Sequence, residues 1–138
     1  MTKQDKELLL RDLCARLPYG VKIERTLYGA ITLTERLIES FRRGFDDILI
    51  PYLRPMSSMT NDEYKEMNDI IGWHAEINYK YSVNDFEICL SPESDPTIWF
   101  GTIIEIQDWL NVHHFDYRGL IDKGLAIKVT RENNPYKD

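Results

Sequence analysis

A chain of 138 residues has the length of one domain and can bury a sizeable core without disulfides or metals. Its hydrophobic share of 43% and charged share of 29% are typical of globular proteins and exclude a largely disordered chain. The formal net charge of −6 makes the protein a poor nucleic-acid binder, because contacts with phosphates dominate that affinity.

The charge is unevenly distributed along the chain. Residues 1–59 carry ten Lys/Arg and eight Asp/Glu, a net charge of +2, whereas residues 60–138 carry a net charge of −8. The basic N-terminal part, around Arg36, Arg42 and Arg43, therefore keeps nucleic-acid binding as a third and less favoured function.

The sequence contains no signal for a membrane. The charged N-terminus lacks the apolar core of a signal peptide, and no run approaches the ~18 apolar residues of a membrane span. Cys14 and Cys89 have no metal-ligand spacing and are expected to be free, buried thiols in a reducing compartment. The sequence therefore predicts a cytoplasmic protein.

The first element is predicted to be an amphipathic helix over residues 3–16. Its apolar residues fall near helical spacing with charged residues between them, and Pro18 and Gly20 end it. Residues 21–28 then alternate as a half-buried strand, after which Gly29 permits a turn.

The period of residues 30–45 is ambiguous. A strand is favoured as far as residue 34, whereas a helical interpretation places three apolar residues on one face. In the helical interpretation, Thr32 and Glu35 would form a capping box.

Two prolines define the next stretch. Pro51 and Pro55 each fix their own φ and favour extended geometry in the preceding residue. Residues 50–55 are therefore predicted to form an extended, polyproline-like strap across the core and not a central strand. A docking motif for an aromatic groove on a partner is the less favoured interpretation.

A helix and a hairpin are predicted in the middle of the chain. Thr60 and Glu63 form a capping box at the start of a helix that runs to about Trp73. Residues 77–90 alternate as a β-hairpin, with turn-forming residues at 82–85.

The next helix has conflicting signals at its start. Asp95 followed by Pro96 is typical of a helix start, but the β-branched and aromatic residues of 97–104 favour a strand. The helix is therefore predicted securely only for residues 103–113. Its buried face should consist of three apolar residues: Ile103, Ile106 and Leu110.

The chain ends with short elements. Asp116 is predicted to cap a helix over residues 117–123, which Gly124 ends in the left-handed conformation. Residues 126–130 are predicted to form an edge strand, and residues 131–138 a polar, flexible tail.

Together these elements predict one α+β domain spanning residues 1–138. It should contain about three helices packed on a small, mainly antiparallel sheet. No Gly-rich phosphate loop is present, so no cofactor is predicted. The oligomeric state does not follow from the sequence.

Two stretches look like paired signatures. They are PYLRPMSSMT at residues 51–60 and DWLNxHHFDYRGLIxKGLA at residues 108–126. These signature stretches resemble short uncharacterised proteins of gut Bacteroidales genomes and of their phages or other mobile elements. The resemblance implies a bacterial cytosolic setting and an accessory role in a mobile element. It brings no activity and no catalytic residue with it.

His113, His114 and Asp116 are the candidate catalytic groups, and they would serve a hydrolase-type enzyme. Adjacent histidines on a helix point in different directions, so both do not easily reach one metal ion, and no metal site is predicted. The favoured interpretation is that the two rings satisfy carbonyl groups at the end of the helix. The sequence therefore favours a protein that is not an enzyme.

A non-catalytic protein-binding or accessory role is the favoured function. The candidate binding residues are aromatic and arginine side chains of the signature stretches: Tyr52, Arg54, Trp109, Tyr117 and Arg118. We expect the two stretches to contact each other, with Arg118 or Arg54 donating to backbone groups at the corner after the helix. A protein partner is predicted. Binding to a membrane is not predicted, and binding to a nucleic acid is not favoured.

Overall fold

Four α-helices and two sheets make up the part of the chain that the structure describes. The computed structural model describes residues 1–25, 29–45, 49–71, 75–79, 86–90 and 96–137. The helices are α1 (Lys3–Arg16), α2 (Glu35–Arg42), α3 (Asn61–Ile71) and α4 (Pro96–Val112). The strands are β1 (Lys22–Arg25), β2 (Gly29–Thr32), β3 (Ile50–Leu53), β4 (Ala75–Tyr79), β5 (Phe86–Leu90) and β6 (Ile127–Lys128). Short 3-10 helices follow α1 and β3, at Leu17–Tyr19 and Met56–Ser58.

The larger sheet has the strand order β2-β1-β3-β6. β1 pairs antiparallel with β2 and β3, and β3 pairs parallel with β6. β4 and β5 pair antiparallel and confirm the predicted hairpin, although its turn at residues 82–85 lies outside the described residues. The predicted α+β class with a mainly antiparallel sheet is confirmed.

Two clusters of buried apolar side chains form the core. The larger cluster joins α1, α2 and the four-stranded sheet to the segment after α4. Its members are Leu9, Leu13, Val21, Ile23, Leu33, Phe41, Leu49, Leu53, Leu120 and Leu125. The smaller cluster joins the second 3-10 helix to α3 and α4, and its members are Met56, Met67, Ile106, Trp109, Leu110 and Phe115. Removal of these side chains from water supplies the main driving force for the fold.

α1 has the predicted bounds and an unexpected buried face. Thr2 and Asp5 form a capping box at its start, and Gly20 adopts the left-handed conformation after its end, with φ 72°. The face that packs on the core also carries Asp12 and Arg16, both with 0% exposure. The amphipathic pattern alone does not predict these two buried charges.

The ambiguous segment is a strand followed by a helix. β2 ends at Thr32, close to the predicted end at residue 34, and α2 starts at Glu35. The capping residue is Thr34 and not Thr32, because the Thr34 hydroxyl accepts a hydrogen bond from the N–H of Leu37 at 3.3 Å.

β3 corrects the prediction of a strap that avoids the centre of the sheet. It lies between β1 and β6, and Pro51 is within it. The sheet accommodates Pro51 because the two ladders are staggered. Pro51 lies opposite Ile23 of β1, whereas pairing with β6 begins only at Tyr52.

α3 begins at its predicted cap. The N–H of Glu63 donates to the Thr60 hydroxyl at 3.2 Å, and the N–H of Thr60 donates to the Glu63 carboxylate at 3.0 Å. The helix is described as far as Ile71, and the predicted end near Trp73 lies outside the described residues.

α4 starts at Pro96, which corrects the predicted start at residue 103. Proline suits the first turn of a helix because its missing N–H would have no intrahelical partner there. The strand propensity of residues 97–104 is a weak preference, and it does not prevent these residues from forming a helix.

The buried face of α4 differs from the predicted one in one residue. Ile106 and Leu110 are buried as predicted, with 2% and 7% exposure. Ile103 is 40% exposed, and Trp109, with 7% exposure, lies on the buried face. The helical period was predicted correctly, but Ile103 lies outside the buried face.

The segment after α4 forms turns and not the predicted short helix. Asp116 therefore does not cap a helix, and its two carboxylate oxygens instead accept from the N–H groups of Leu120 and Ile121 in these turns, each at 2.9 Å. Gly119 adopts a left-handed conformation with φ 73°, which interrupts any helix. Gly124 has the predicted left-handed conformation, also with φ 73°.

The C-terminal segment packs against the four-stranded sheet. β6 lies within the predicted strand 126–130, and residues 131–137, predicted to be a tail, return to the sheet through Tyr136. The Tyr136 hydroxyl accepts from the N–H of Lys22 at 2.9 Å and donates to the carbonyl of Tyr52 at 2.7 Å. The phenol thus bridges β1 and β3 just beyond their last ladder pair.

The structure also tests the predictions about Cys14 and about membrane-spanning helices. Cys14 is a free thiol but is exposed, so its predicted burial is wrong. No helix in the described ranges is long and apolar enough to cross a membrane.

Candidate functional site

The two signature stretches contact each other, as predicted. The N–H of Arg54 donates to the carbonyl of His114 at 2.8 Å, and the N–H of Asp116 donates to the carbonyl of Arg54 at 2.8 Å. This parallel bridge pairs Arg54 with Phe115. The corner after α4 is therefore attached to the end of β3 through the backbone.

The histidine pair lies in a Schellman motif that ends α4. The N–H of Phe115 donates to the carbonyl of Leu110 at 2.9 Å, and the N–H of His114 donates to that of Asn111 at 3.1 Å. His114 has φ 62°, the left-handed conformation that this motif requires and that glycine usually supplies. Backbone N–H groups, and not the predicted imidazole rings, therefore satisfy these two carbonyls.

Arg54 is held in a defined position. Its guanidinium donates two hydrogen bonds of 2.7 Å to Glu63 and lies 4.2 Å from the centre of the Phe115 ring. Phe115 in turn stacks with Trp109 at 5.8 Å. The hydrogen bonds from Arg54, with a smaller contribution from Thr60, lower the pKa of Glu63 to about 2.

A buried ion network supports the corner from the side of α1. Arg16 donates to Asp12 at 2.7 Å and to the carbonyl of Phe115 at 2.7 Å, and Arg118 donates to Asp12 at 3.1 Å. The side chain that donates to the corner carbonyl of Phe115 is therefore Arg16 and not the predicted Arg54 or Arg118, although the backbone N–H of Arg54 donates to the carbonyl of His114. Charged residues four apart on an otherwise apolar helix face are the sequence signal that indicates such a network.

Three of the predicted binding residues contribute to this structural network. The Tyr117 ring lies 4.9 Å from the guanidinium carbon of Arg16 and 5.2 Å from that of Arg118, and its hydroxyl donates to Asn111 at 2.8 Å. Trp109 is buried. These side chains hold the corner together and offer little free surface to a partner.

The three candidate catalytic groups have contacts with different parts of the molecule. His113 lies 3.6 Å from the Glu63 carboxylate on α3, and His114 stacks on Tyr136 with ring centres 3.8 Å apart. Both oxygens of Asp116 accept from backbone N–H groups. In the described part of the chain, no group of three or more His, Cys, Asp or Glu residues is arranged to hold a metal ion.

His114 is neutral at pH 7. Burial, with smaller contributions from Arg16, His113 and Arg54, lowers the pKa of His114 to about 4. The neutral ring suits its stacked position on Tyr136.

Acidification is expected to destabilise the fold through His114. The pKa of His114 is about 4 in the folded protein, whereas the ordinary value of 6.5 applies in the unfolded chain. Between these pH values the unfolded chain therefore binds more protons. The free energy of unfolding should therefore fall as the pH decreases from 6.5 to 4.

Urea unfolding of the wild type and of His114→Phe across this pH range measures the effect. Phenylalanine keeps an aromatic ring beside Tyr136 but does not titrate, so the free energy of unfolding of the variant should change less with pH in this range. Any cost of phenylalanine in the left-handed conformation lowers the stability equally at every pH. Parallel curves for the two proteins would contradict the prediction.

A groove of about 460 Å³ lies at the carboxyl ends of β3 and β6. Because these strands are neighbours and parallel, the segments that follow them leave the sheet at the same edge and form the two walls. The lining residues are Arg54, Pro55, Ser57, Ser58, Lys128, Val129, Thr130, Arg131 and Asn134. We call this the β3–β6 groove.

The β3–β6 groove is positively charged. Three of its lining residues are cations, and none of the described lining residues is a carboxylate. The charge of Arg54 is compensated by Glu63. Lys128 and Arg131 are exposed and form no ion pair with any residue in the described ranges. Two uncompensated positive charges therefore face the groove.

Of the five predicted binding residues, only Arg54 lines this groove. The missed signal is the pair Lys128 and Arg131, two cations close together in the half of the chain that carries a net charge of −8. Tyr52, the predicted binding residue within β3, accepts a hydrogen bond from the Tyr136 hydroxyl at its carbonyl.

The basic patch predicted near α2 is largely neutralised. Arg42 and Arg43 both donate to Glu39, at 2.8 and 2.9 Å. Arg36 lines a shallow depression together with Glu35 and Glu39. The mixed charge of this surface gives little support to nucleic-acid binding.

Comparisons with known proteins find no family model that matches the chain, no curated protein that is similar to it and no solved structure that matches it. The function is therefore argued from the chemistry of the site.

Proposed function

We propose that this chain is a non-catalytic protein-binding protein and that its β3–β6 groove takes an acidic segment of a partner protein. The observation that carries the proposal is the charge of the groove: Lys128 and Arg131 form no ion pair within the described part of a chain whose net charge is −6. Charge complementarity steers association and selects partners.

The arrangement of the groove suits recognition of a segment and not of a long polyanion. Lys128 and Arg131 lie together in one groove, and the C-terminal half of the chain has a net negative charge. A nucleic acid would meet repulsion from the surrounding carboxylates, whereas a short acidic segment places its charge within the groove.

The hydrolase alternative receives less support from the geometry. A general base needs a free acceptor within reach of a substrate. Both oxygens of Asp116 are occupied by backbone N–H groups, and the His114 ring is stacked on Tyr136.

The resemblance of the signature stretches to proteins of gut Bacteroidales and their phages supports an accessory role in a bacterial cytoplasm.

A charge-reversed variant tests the proposal. The wild type, the double variant Lys128→Glu/Arg131→Glu and the control Lys3→Glu/Lys123→Glu are used to capture proteins from a bacterial lysate, with and without nuclease treatment. The control makes the same change in net charge at two exposed lysines away from the groove.

We expect one protein to be retained by the wild type and by the control but lost with the groove variant, and its capture to weaken as salt is added. Two results would overturn the proposal. One is equal capture by the groove variant, and the other is loss of every captured protein after nuclease treatment. Circular dichroism of all three proteins checks that each is folded.

A further inference from the structure

We propose that the β3–β6 groove recognises a phosphate monoester carried by a side chain of the partner protein. The inference rests on the proposed function, and it names the anionic group that the acidic segment presents.

The first argument is the match of charge. Three cations line the groove, and Glu63 neutralises one of them, Arg54. The charges of Lys128 and Arg131 remain uncompensated by the described residues. A phosphate monoester carries about −1.5 to −2 at pH 7, whereas a carboxylate carries a single negative charge. One phosphate therefore compensates both cations, and one carboxylate leaves a cation unpaired.

The second argument is the number and type of donors. The three terminal oxygens of a phosphate monoester each accept hydrogen bonds. Arg131 supplies the planar fork that matches phosphate oxygens, and Lys128 supplies a point charge. Ser57 adds an exposed hydroxyl. Asn134 accepts from the N–H of Tyr136 at 2.9 Å through Oδ1, which leaves its Nδ2 as a donor.

The third argument is that both walls are ordered before a ligand arrives. On the β3 side, Arg54 is held by Glu63, and the Ser58 hydroxyl donates to the carbonyl of Pro55 at 2.7 Å. On the β6 side, the N–H of Thr130 donates to Asn133 at 2.6 Å. The groups held by these hydrogen bonds lose little conformational entropy on binding, which favours affinity for a small, highly charged group.

Binding of defined peptide pools to the full chain tests the inference. One pool carries a single phosphoserine between randomised residues, a second carries glutamate at that position, and a third carries serine. Inorganic phosphate alone is the fourth probe. Binding is measured by fluorescence anisotropy for the peptides and by backbone amide shifts for all four probes.

We expect the phosphoserine pool to bind on the order of tenfold more tightly than the glutamate pool, and to shift the amides of residues 128–134. Arg131→Lys keeps the charge but removes the fork, so it should weaken binding of the phosphoserine pool more than that of the glutamate pool. Ser57→Ala should give a smaller loss, and Lys3→Gln should give none.

Three results would overturn the phosphate inference. Equal binding of the glutamate and phosphoserine pools would do so, and so would a lack of binding by the phosphoserine pool. Binding of inorganic phosphate as tight as that of the phosphoserine pool would assign the groove to free phosphate and not to a partner side chain. The proposed function fails separately, when the charge-reversed groove still captures the protein partner.

Discussion

Replacing Asp12 with alanine is expected to lower the free energy of unfolding by about 3–5 kcal/mol. Asp12 and Arg16 are both fully buried, and Asp12 also accepts from Arg118. Without the carboxylate, the guanidinium of Arg16 remains in the core with no compensating charge. That penalty exceeds the contribution expected from an exposed ion pair.

Urea denaturation at pH 7 measures this effect, and Glu7→Ala is the matched control because Glu7 is an exposed carboxylate on the same helix. The double variant Asp12→Leu/Arg16→Met should be more stable than Asp12→Ala, since it removes both buried charges. A loss below about 1 kcal/mol for Asp12→Ala, the range of surface pairs, would show that the network does not support the corner.

Replacing Asp116 with alanine is expected to lower the free energy of unfolding by about 2–4 kcal/mol. The side chain is 1% exposed, and its carboxylate accepts from the N–H groups of Leu120 and Ile121. Leu120 is fully buried, so water cannot easily replace the lost acceptor. Asp116→Asn should have a smaller effect because the amide keeps one acceptor oxygen.

Thermal unfolding together with amide hydrogen exchange distinguishes a structural role of Asp116 from a catalytic one. In Asp116→Ala, exchange of the Leu120 and Ile121 amides should accelerate. The exposed carboxylate Glu132, replaced with alanine, serves as the control. Unchanged stability and unchanged exchange would remove the structural role and return Asp116 to consideration as a catalytic group.

Local signals predicted the bounds of α1 and the start of α3 correctly. The capping box of Thr60 and Glu63 is present as predicted, because its two hydrogen bonds join residues three apart. The bounds of α1 and the left-handed Gly124 were predicted for the same reason. Each of these features is complete within one or two turns of the chain, so neighbouring residues contain all the information that is needed.

Signals that compete with packing predicted less well. The residues at the start of α4 favour a strand by propensity, yet they are helical. Pro51 lies in an interior strand because the pairing of β3 with its two neighbours is staggered. Propensity differs between these states by about 1 kcal/mol or less per residue, and tertiary contacts exceed that.

The amino-acid sequence was sufficient for the α+β class and for the capping box of α3, because these depend on short-range chemistry and hydrophobic pattern. The contact between the signature stretches joins Arg54 to Phe115, which are distant in the chain, so it depends on the tertiary structure. The tertiary structure alone decided the site. Arg54 and Lys128 share a groove because β3 and β6 pair in parallel, and Arg16 reaches Phe115 because α1 packs on the corner. Such pairs are distant in the chain and become neighbours only when the core forms, so no local pattern indicates them.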